Sequence, residues 1–295
     1  MAFCIITDSA SDVPKSVIDE YNLFVMPTPV TIDNEDLRDG KTIFPEEFYK
    51  IQAEGIKEIK TYHISELMFQ GYFTEFAKRG DEVLYICFST GIAGTFQAAT
   101  LAKQEVLEEY PDFKITIIDS KCASIGYGLV TERLLKMQKN GAPKELIIEA
   151  AHFFCEHMVH VVAVQTLDYL YAGGRVSKTS FVVGGMLDIK PILMTDENGS
   201  LKAAEKARGW KKAMARVVEL IGENGVELDK QVIGMCYGTD RASFDAIKAE
   251  LIEKYKVRGV VETQVGCAIG AHTGGSIVAA VCLNAYEPKY DEYLK

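Results

Sequence analysis

Short apolar runs alternate with amphipathic stretches through the first half of this chain. Residues 3–7, 83–88 and 114–118 read as buried strands. Helices are expected between them at 14–21, 45–54, 66–79, 95–109 and 128–139, the last closed by Asn140-Gly141, and Pro143 opens another that runs towards His157. That alternation is the pattern of a parallel sheet crossed by helices. From His160 the rhythm changes. Strands are expected at 161–165, 192–195, 201–205, 231–237, 260–265 and 277–282, with helices at 210–222 and 241–255. Asn198-Gly199 between two short apolar runs is a hairpin signal and introduces an antiparallel pair. An α/β chain of two domains follows, 1–160 with a parallel sheet and 161–295 with a mixed or antiparallel one.

The 295 residues are 48% hydrophobic and 25% charged, enough for a large core. Lys and Arg number 32 against 42 Asp and Glu, and the net charge of −10 argues against nucleic acid or an anionic bilayer as partner. The opening MAFCIITDSASDVP has no basic region and one short apolar run, so neither a signal peptide nor a membrane span is expected. The seven cysteines include no Cys-x-x-Cys pair and sit mostly in apolar runs, as reduced core residues of a cytoplasmic protein do.

Four polar or glycine-rich segments follow strands or open helices: Thr7 to Asp12, Ser89 to Thr95, Asp119-Ser120 and Gly270 to Gly275. Ligands of open α/β sheets collect at such places, where helix N-termini offer free amides. Ser89 to Thr95 suits an anionic oxygen, although Ser, Thr and Asp at strand-to-helix turns also serve as caps, the role expected of Asp8 and Asp12. Phosphate-binding glycine motifs are absent. His152 and His157 would point to different sides of one helix, and His157 with His160 has no clear third ligand, so no metal site is expected. His272 stands among glycines, an unusual place for a packing histidine.

In order along the chain these segments resemble the DegV family. The likeness rests on Thr7-Asp8-Ser9 with Asp12-Val13-Pro14, on Ser89-Thr90-Gly91-Ile92-Ala93-Gly94-Thr95-Phe96-Gln97, and on Asp119-Ser120 followed by Ser124 and Gly126. It continues through Leu170, Gly173-Gly174-Arg175 and Ser177, then Ile189-Lys190-Pro191-Ile192-Leu193, and ends at His272-Thr273-Gly274. The resemblance implies the two-domain DegV-like (EDD) fold and a long-chain fatty acid, such as palmitate or stearate, with its tail buried. The protein would be a non-catalytic carrier without a cofactor, presenting the carboxylate to a separate ATP-dependent fatty acid kinase subunit. Carried over by motif, the carboxylate contacts are Thr61, Ser89, Thr90 and His272, with Arg175 at the phosphoryl-transfer or partner face. The chain departs from the family pattern at Tyr62, His63 and Ile64, at Ala93 and at Gly275, and Tyr62 and His63 are candidates for added polar contacts.

The chemistry fits such a ligand. Burying the tail supplies affinity, whereas a buried carboxylate needs several donors, among them the hydroxyls of Thr61 and Ser89, amides beyond Thr90 and a protonatable His272. Residues 181–187 and 277–282 are expected to wall the tail, or to be ordinary core. Two alternatives stay open: a hydrolase that uses Ser89 with His272, and a lipid sensor without a kinase partner.

Overall fold

The computed structural model describes residues 2–55, 58–177 and 188–295. Strand β1 (Phe3–Asp8) pairs in parallel with both β2 (Phe24–Met26) and β6 (Glu82–Cys87), and β6 pairs in parallel with β7 (Ile115–Asp119), giving the order β2-β1-β6-β7. A small antiparallel sheet, β4-β3-β5, is inserted between β2 and β6 and uses Glu35–Arg38, Pro29–Ile32 and Ile59–Thr61. Its hairpin turns at Asp33-Asn34, both with positive φ, the conformation that a two-residue turn between twisted strands requires.

The third sheet is mixed, in the order β10-β9-β8-β13-β11-β12. Its strands are β8 (Met158–Ala163), β9 (Ile189–Thr195), β10 (Leu201–Arg208), β11 (Val232–Tyr237), β12 (Gly259–Gln264) and β13 (Val278–Leu283). Only β11 and β12 run parallel; the other pairs are antiparallel. Asn198-Gly199 turns β9 into β10, and Gly199 takes a φ of 73°.

Alternation along β8 and β13 sends side chains to two different cores. Val159, Val161, Ala163, Val278, Ala280 and Cys282 pack on helices α8 (Trp210–Asn224) and α9 (Arg241–Tyr255). Helix α8 presents Ala213, Met214, Val217, Val218 and Ile221, one stripe at helical spacing. The opposite face, with Val162, Ala279 and Val281, turns towards the parallel sheet. On the outer face of that sheet, Ile6, Val83, Tyr85 and Cys87 pack with α3 (Glu66–Arg79) and α4 (Thr95–Glu109).

Helix α5 (Ile125–Lys139) touches β1 and β6 on one side and β8 and β11 on the other, so it ties the two large sheets together. Two glycines in its first turn make this possible. A Cβ on Gly126 would lie 2.0 Å from His160 Nε2, and one on Gly128 would lie 2.4 Å from the Ser11 carbonyl oxygen. Gly126→Ala is therefore expected to cost about 1–3 kcal/mol in urea unfolding through overpacking. Gly71→Ala, in an exposed turn of α3 with open space around it, should instead stabilise by roughly 0.5–1 kcal/mol. Equal effects at the two positions would contradict the packing of α5.

Candidate functional site

A chamber of about 900 Å³, mouth included, lies between the parallel sheet and the inner face of the mixed sheet. Most of its wall is apolar, supplied by Phe88, Ile125, Val162, Leu201, Ala279 and Val281 among others. At one end Thr61, at the close of β5, meets His272 in helix α10 (Cys267–Thr273). Thr61 Oγ1 and His272 Nε2 are 2.6 Å apart. Arg175, half-buried, lines the same chamber, and its charge is felt by His272. Tyr62, 54% exposed, and His63 also line the chamber.

The glycine-rich segment 270–275, expected as a loop, is in its first four residues the end of a helix. That short helix is held from several sides. Asp39 accepts from the amides of Cys267 and Ala268 at 2.9 and 3.2 Å, and Asp12 accepts from the Gly266 amide at 2.8 Å and from the Ser124 hydroxyl. Gln52, in α2 (Pro45–Glu54), donates to the Gly270 carbonyl at 2.9 Å. These are positioning residues for His272; the motifs contained Asp12, expected as a cap, and Ser124, but neither Asp39 nor Gln52. Burial raises the pKa of both carboxyls, with Asp39 adding to the effect on Asp12. Asp8 is a cap, as expected, accepting from the Ala10 amide, and it also receives the hydroxyls of Tyr85 and Tyr127 at 2.7 Å each.

His272 is seated against Gly173, where a Cβ would lie 2.2 Å from its Nδ1. Gly173 follows the short helix α7 (Asp168–Ala172), and Arg175 Nη1 donates back to the Gly173 carbonyl. Burial first, and then the Arg175 charge, push the His272 imidazole down to about 4, so this protonatable side chain is neutral at pH 7. Between pH 6.5 and 4 the unfolded chain takes up a proton here that the folded chain refuses. The stability contributed by the neutral imidazole is thus present above pH 6.5 and lost as pH falls towards 4. Wild type should lose about 2–3 kcal/mol relative to His272→Gln across that window in urea unfolding. A flat difference would show that the imidazole is not held neutral.

Ser89 and Thr90 stand apart from this end. The Ser89 hydroxyl, fully buried, donates to the Gly199 carbonyl at 2.8 Å and accepts from the Gly91 amide at 3.1 Å. The Thr90 hydroxyl donates to Asp119 at 2.6 Å. Neither lines the chamber, although Ile92, Ala93 and Thr95 of the same loop do. The loop docks the β9–β10 hairpin: a Cβ on Gly91 would strike the Asn198 carbonyl oxygen at 2.5 Å, and Ser200 donates to the Gly91 carbonyl. The Ser89–His272 pairing that a hydrolase needs is not formed, since His272 pairs with Thr61.

Ile277, Ala279 and Val281 wall the chamber, while the other expected wall, 181–187, lies outside the described residues. His160 also faces the chamber; its Nε2 accepts from the Ala123 amide at 3.4 Å and its Nδ1 is 3.2 Å from the Thr195 hydroxyl. His157 caps helix α6 (Lys144–Glu156), and its Nδ1 is 2.9 Å from Asn284 Oδ1. Among the described residues no group of three or more His, Cys, Asp or Glu side chains is arranged to hold a metal ion, and no helix is long and apolar enough to cross a membrane.

A parallel sheet and a mixed sheet enclosing a mostly apolar chamber define an α/β protein of a particular architecture. The chain belongs to the DegV family, whose profile matches residues 2–285. A DegV domain-containing protein of Caldanaerobacter subterraneus subsp. tengcongensis is 35% identical over 271 residues, covering 92% of this chain and 94% of the relative. The fatty-acid-binding DegV family protein of Thermus thermophilus superposes with a TM-score of 0.85 at 25% identity, covering 95% of this chain and 99% of that one. The stearic acid-binding protein of Eubacterium ventriosum gives 0.86 at 25% identity, with 96% and 98% covered.

Proposed function

We propose that this chain encloses one long-chain fatty acid, its tail in the chamber between the sheets and its carboxylate at the Thr61–His272–Arg175 end, and does not itself transform it. The observation that carries this reading is a chamber, apolar over most of its wall, whose lining brings together a hydroxyl, a neutral imidazole and a guanidinium. Tail burial at about 0.8 kcal/mol per methylene gives on the order of 12 kcal/mol gross for an acid of about eighteen carbons, before ordering and association costs. The fatty acids bound by the Thermus and Eubacterium proteins support the same ligand class.

The head group needs a cation or several donors, and Arg175 is the nearest positive charge to His272 in this chamber. The proposed partner is a separate ATP-dependent kinase subunit in the cytoplasm, which would reach the carboxylate past Tyr62 and Arg175. The division at residue 160 would then put Thr61 on one unit and Arg175 and His272 on the other. Because Arg175 lines the chamber, Arg175→Ala is expected to weaken acid binding about tenfold or more, the loss of one charge-assisted contact. Unchanged affinity with loss of kinase-dependent phosphoryl transfer would return Arg175 to the partner face that motif resemblance assigned.

The test is native mass spectrometry of the purified protein, followed by extraction and identification of the lipid. A stoichiometric fatty acid supports the reading; no lipid after loading with free acids overturns it. Hydrolysis of acyl esters lost in Ser89→Ala would favour the hydrolase instead.

A further inference from the structure

A second cavity, of about 560 Å³ including its mouth, lies where helices α5 and α6 meet the first residue of β11 and the C-terminal segment. It shares no lining residue with the chamber. Arg133 of α5 lines it. That side chain is only 5% exposed. Its Nη2 donates to the Val232 carbonyl at 2.7 Å, and its guanidinium carbon lies 5.1 Å from the centre of the Phe154 ring. Its Nη1 is buried and has no acceptor, and among the described residues Arg133 makes no ion pair. A buried guanidinium with an unused donor is an arrangement that cores avoid unless something supplies the acceptor. The Phe154 ring offsets part of the cost. Burial pushes the guanidinium down to about 10, which an arriving anion would reverse.

We propose that this cavity is a second ligand site, for a small organic carboxylate with a flat or short apolar body, whose head group Arg133 Nη1 receives. Phe153, Phe154, Leu283 and Tyr290 supply apolar and aromatic wall for the body. The rim selects a monoanion. Glu132, Glu287 and Asp291 all line the cavity and repel a second negative charge. Of the other cations there, Lys230 is paired with Glu227 at 2.7 Å and Arg258 donates to the Leu294 carbonyl at 3.3 Å. Arg133, Lys136 and Arg258 carry charges that the three carboxylates balance, which leaves no surplus for a phosphate dianion. A planar carboxylate also matches the fork of a guanidinium held in place from its other arm by Val232.

The experiment titrates benzoate, and in parallel inorganic phosphate at matched ionic strength, into the full-length protein while following backbone amide shifts. Benzoate is expected to bind saturably, with shifts centred on the amides of Gln231, Val232 and Leu283. Arg133→Met should weaken it by about tenfold to a hundredfold, the loss of one charge-assisted hydrogen bond, and phosphate should compete poorly. Lys136→Glu, a change at the rim that leaves the core intact, should weaken it severalfold and keeps the test open if Arg133→Met does not fold. The proposal is overturned by no saturable binding below about 10 mM. It also falls if shifts are confined to Thr61 and His272, if phosphate binds as well as benzoate, or if affinity is unchanged in Lys136→Glu.

Discussion

Ala279→Trp is expected to lower affinity for an eighteen-carbon acid by about a thousandfold while sparing acids about six carbons shorter. Ala279 is a buried residue of β13 whose side chain faces the chamber, opposite Val162 across the strand pair. An indole there occupies space that roughly six methylenes of the tail would otherwise fill, and each methylene is worth about 0.8 kcal/mol. The affected quantity is therefore chain-length preference, read by competition among free acids in native mass spectrometry. Because the indole would enter a chamber rather than a filled core, the melting temperature of the unloaded protein should change little. Unaltered preference for the long acid would mean that the tail runs elsewhere.

The second large effect is expected at a residue that touches no ligand. Gly173 has a φ of −76°, which any residue adopts, so its backbone tolerates Gly173→Ala. The added methyl would nonetheless lie 2.2 Å from His272 Nδ1, and the imidazole must leave its place against Thr61. Acid affinity should fall by about tenfold to a hundredfold with the fold intact. Gly174→Ala supplies the contrast. Gly174 has a φ of 73° and open space around its Cα, so alanine there costs about 1 kcal/mol of stability and leaves affinity alone. The same pair of effects reversed, affinity lost at 174 and stability at 173, would refute the placement of His272.

Strand periodicity made most of the architecture legible. The apolar runs of β1, β6 and β7 and the Asn198-Gly199 turn were read correctly because buried strands are nearly uniform in hydrophobicity and hairpin turns have their own chemistry. The three-stranded sheet escaped the same reading. Glu35–Arg38 is three parts charged, Pro29 opens its neighbour, and neither forms an apolar run. The available signal was Asp33-Asn34, a turn pair between Val30-Thr31-Ile32 and Leu37.

Of the residues that motif resemblance singled out for the site, Thr61, Tyr62, His63, Arg175 and His272 line one chamber. Ser89 and Thr90 are equally prominent in the motif, yet their hydroxyls are spent on Gly199 and Asp119. A loop that docks two sheets and a loop that receives an anion use the same small and hydroxylated residues, so sequence does not separate them. Asp39 was missed for a related reason. Its partners, the amides of Cys267 and Ala268, lie 228 and 229 residues away, beyond the reach of any local pattern.

Those long separations bear on when the chamber comes into being. The bond between Thr61 and His272 closes 211 residues of chain, and that between Asp12 and the Gly266 amide closes 254. A nascent chain emerging from the ribosome can complete β1, β6 and β7 long before α10 and β13 are made, but it has no polar end and no far wall for a tail. Contacts of such separation also form late in folding, because loop closure must be met before they contribute. The proposed acid is therefore expected to be taken up only after the last strand is made, and a protein loaded with it should resist unfolding as a whole, since releasing either terminal part of the chain opens the chamber.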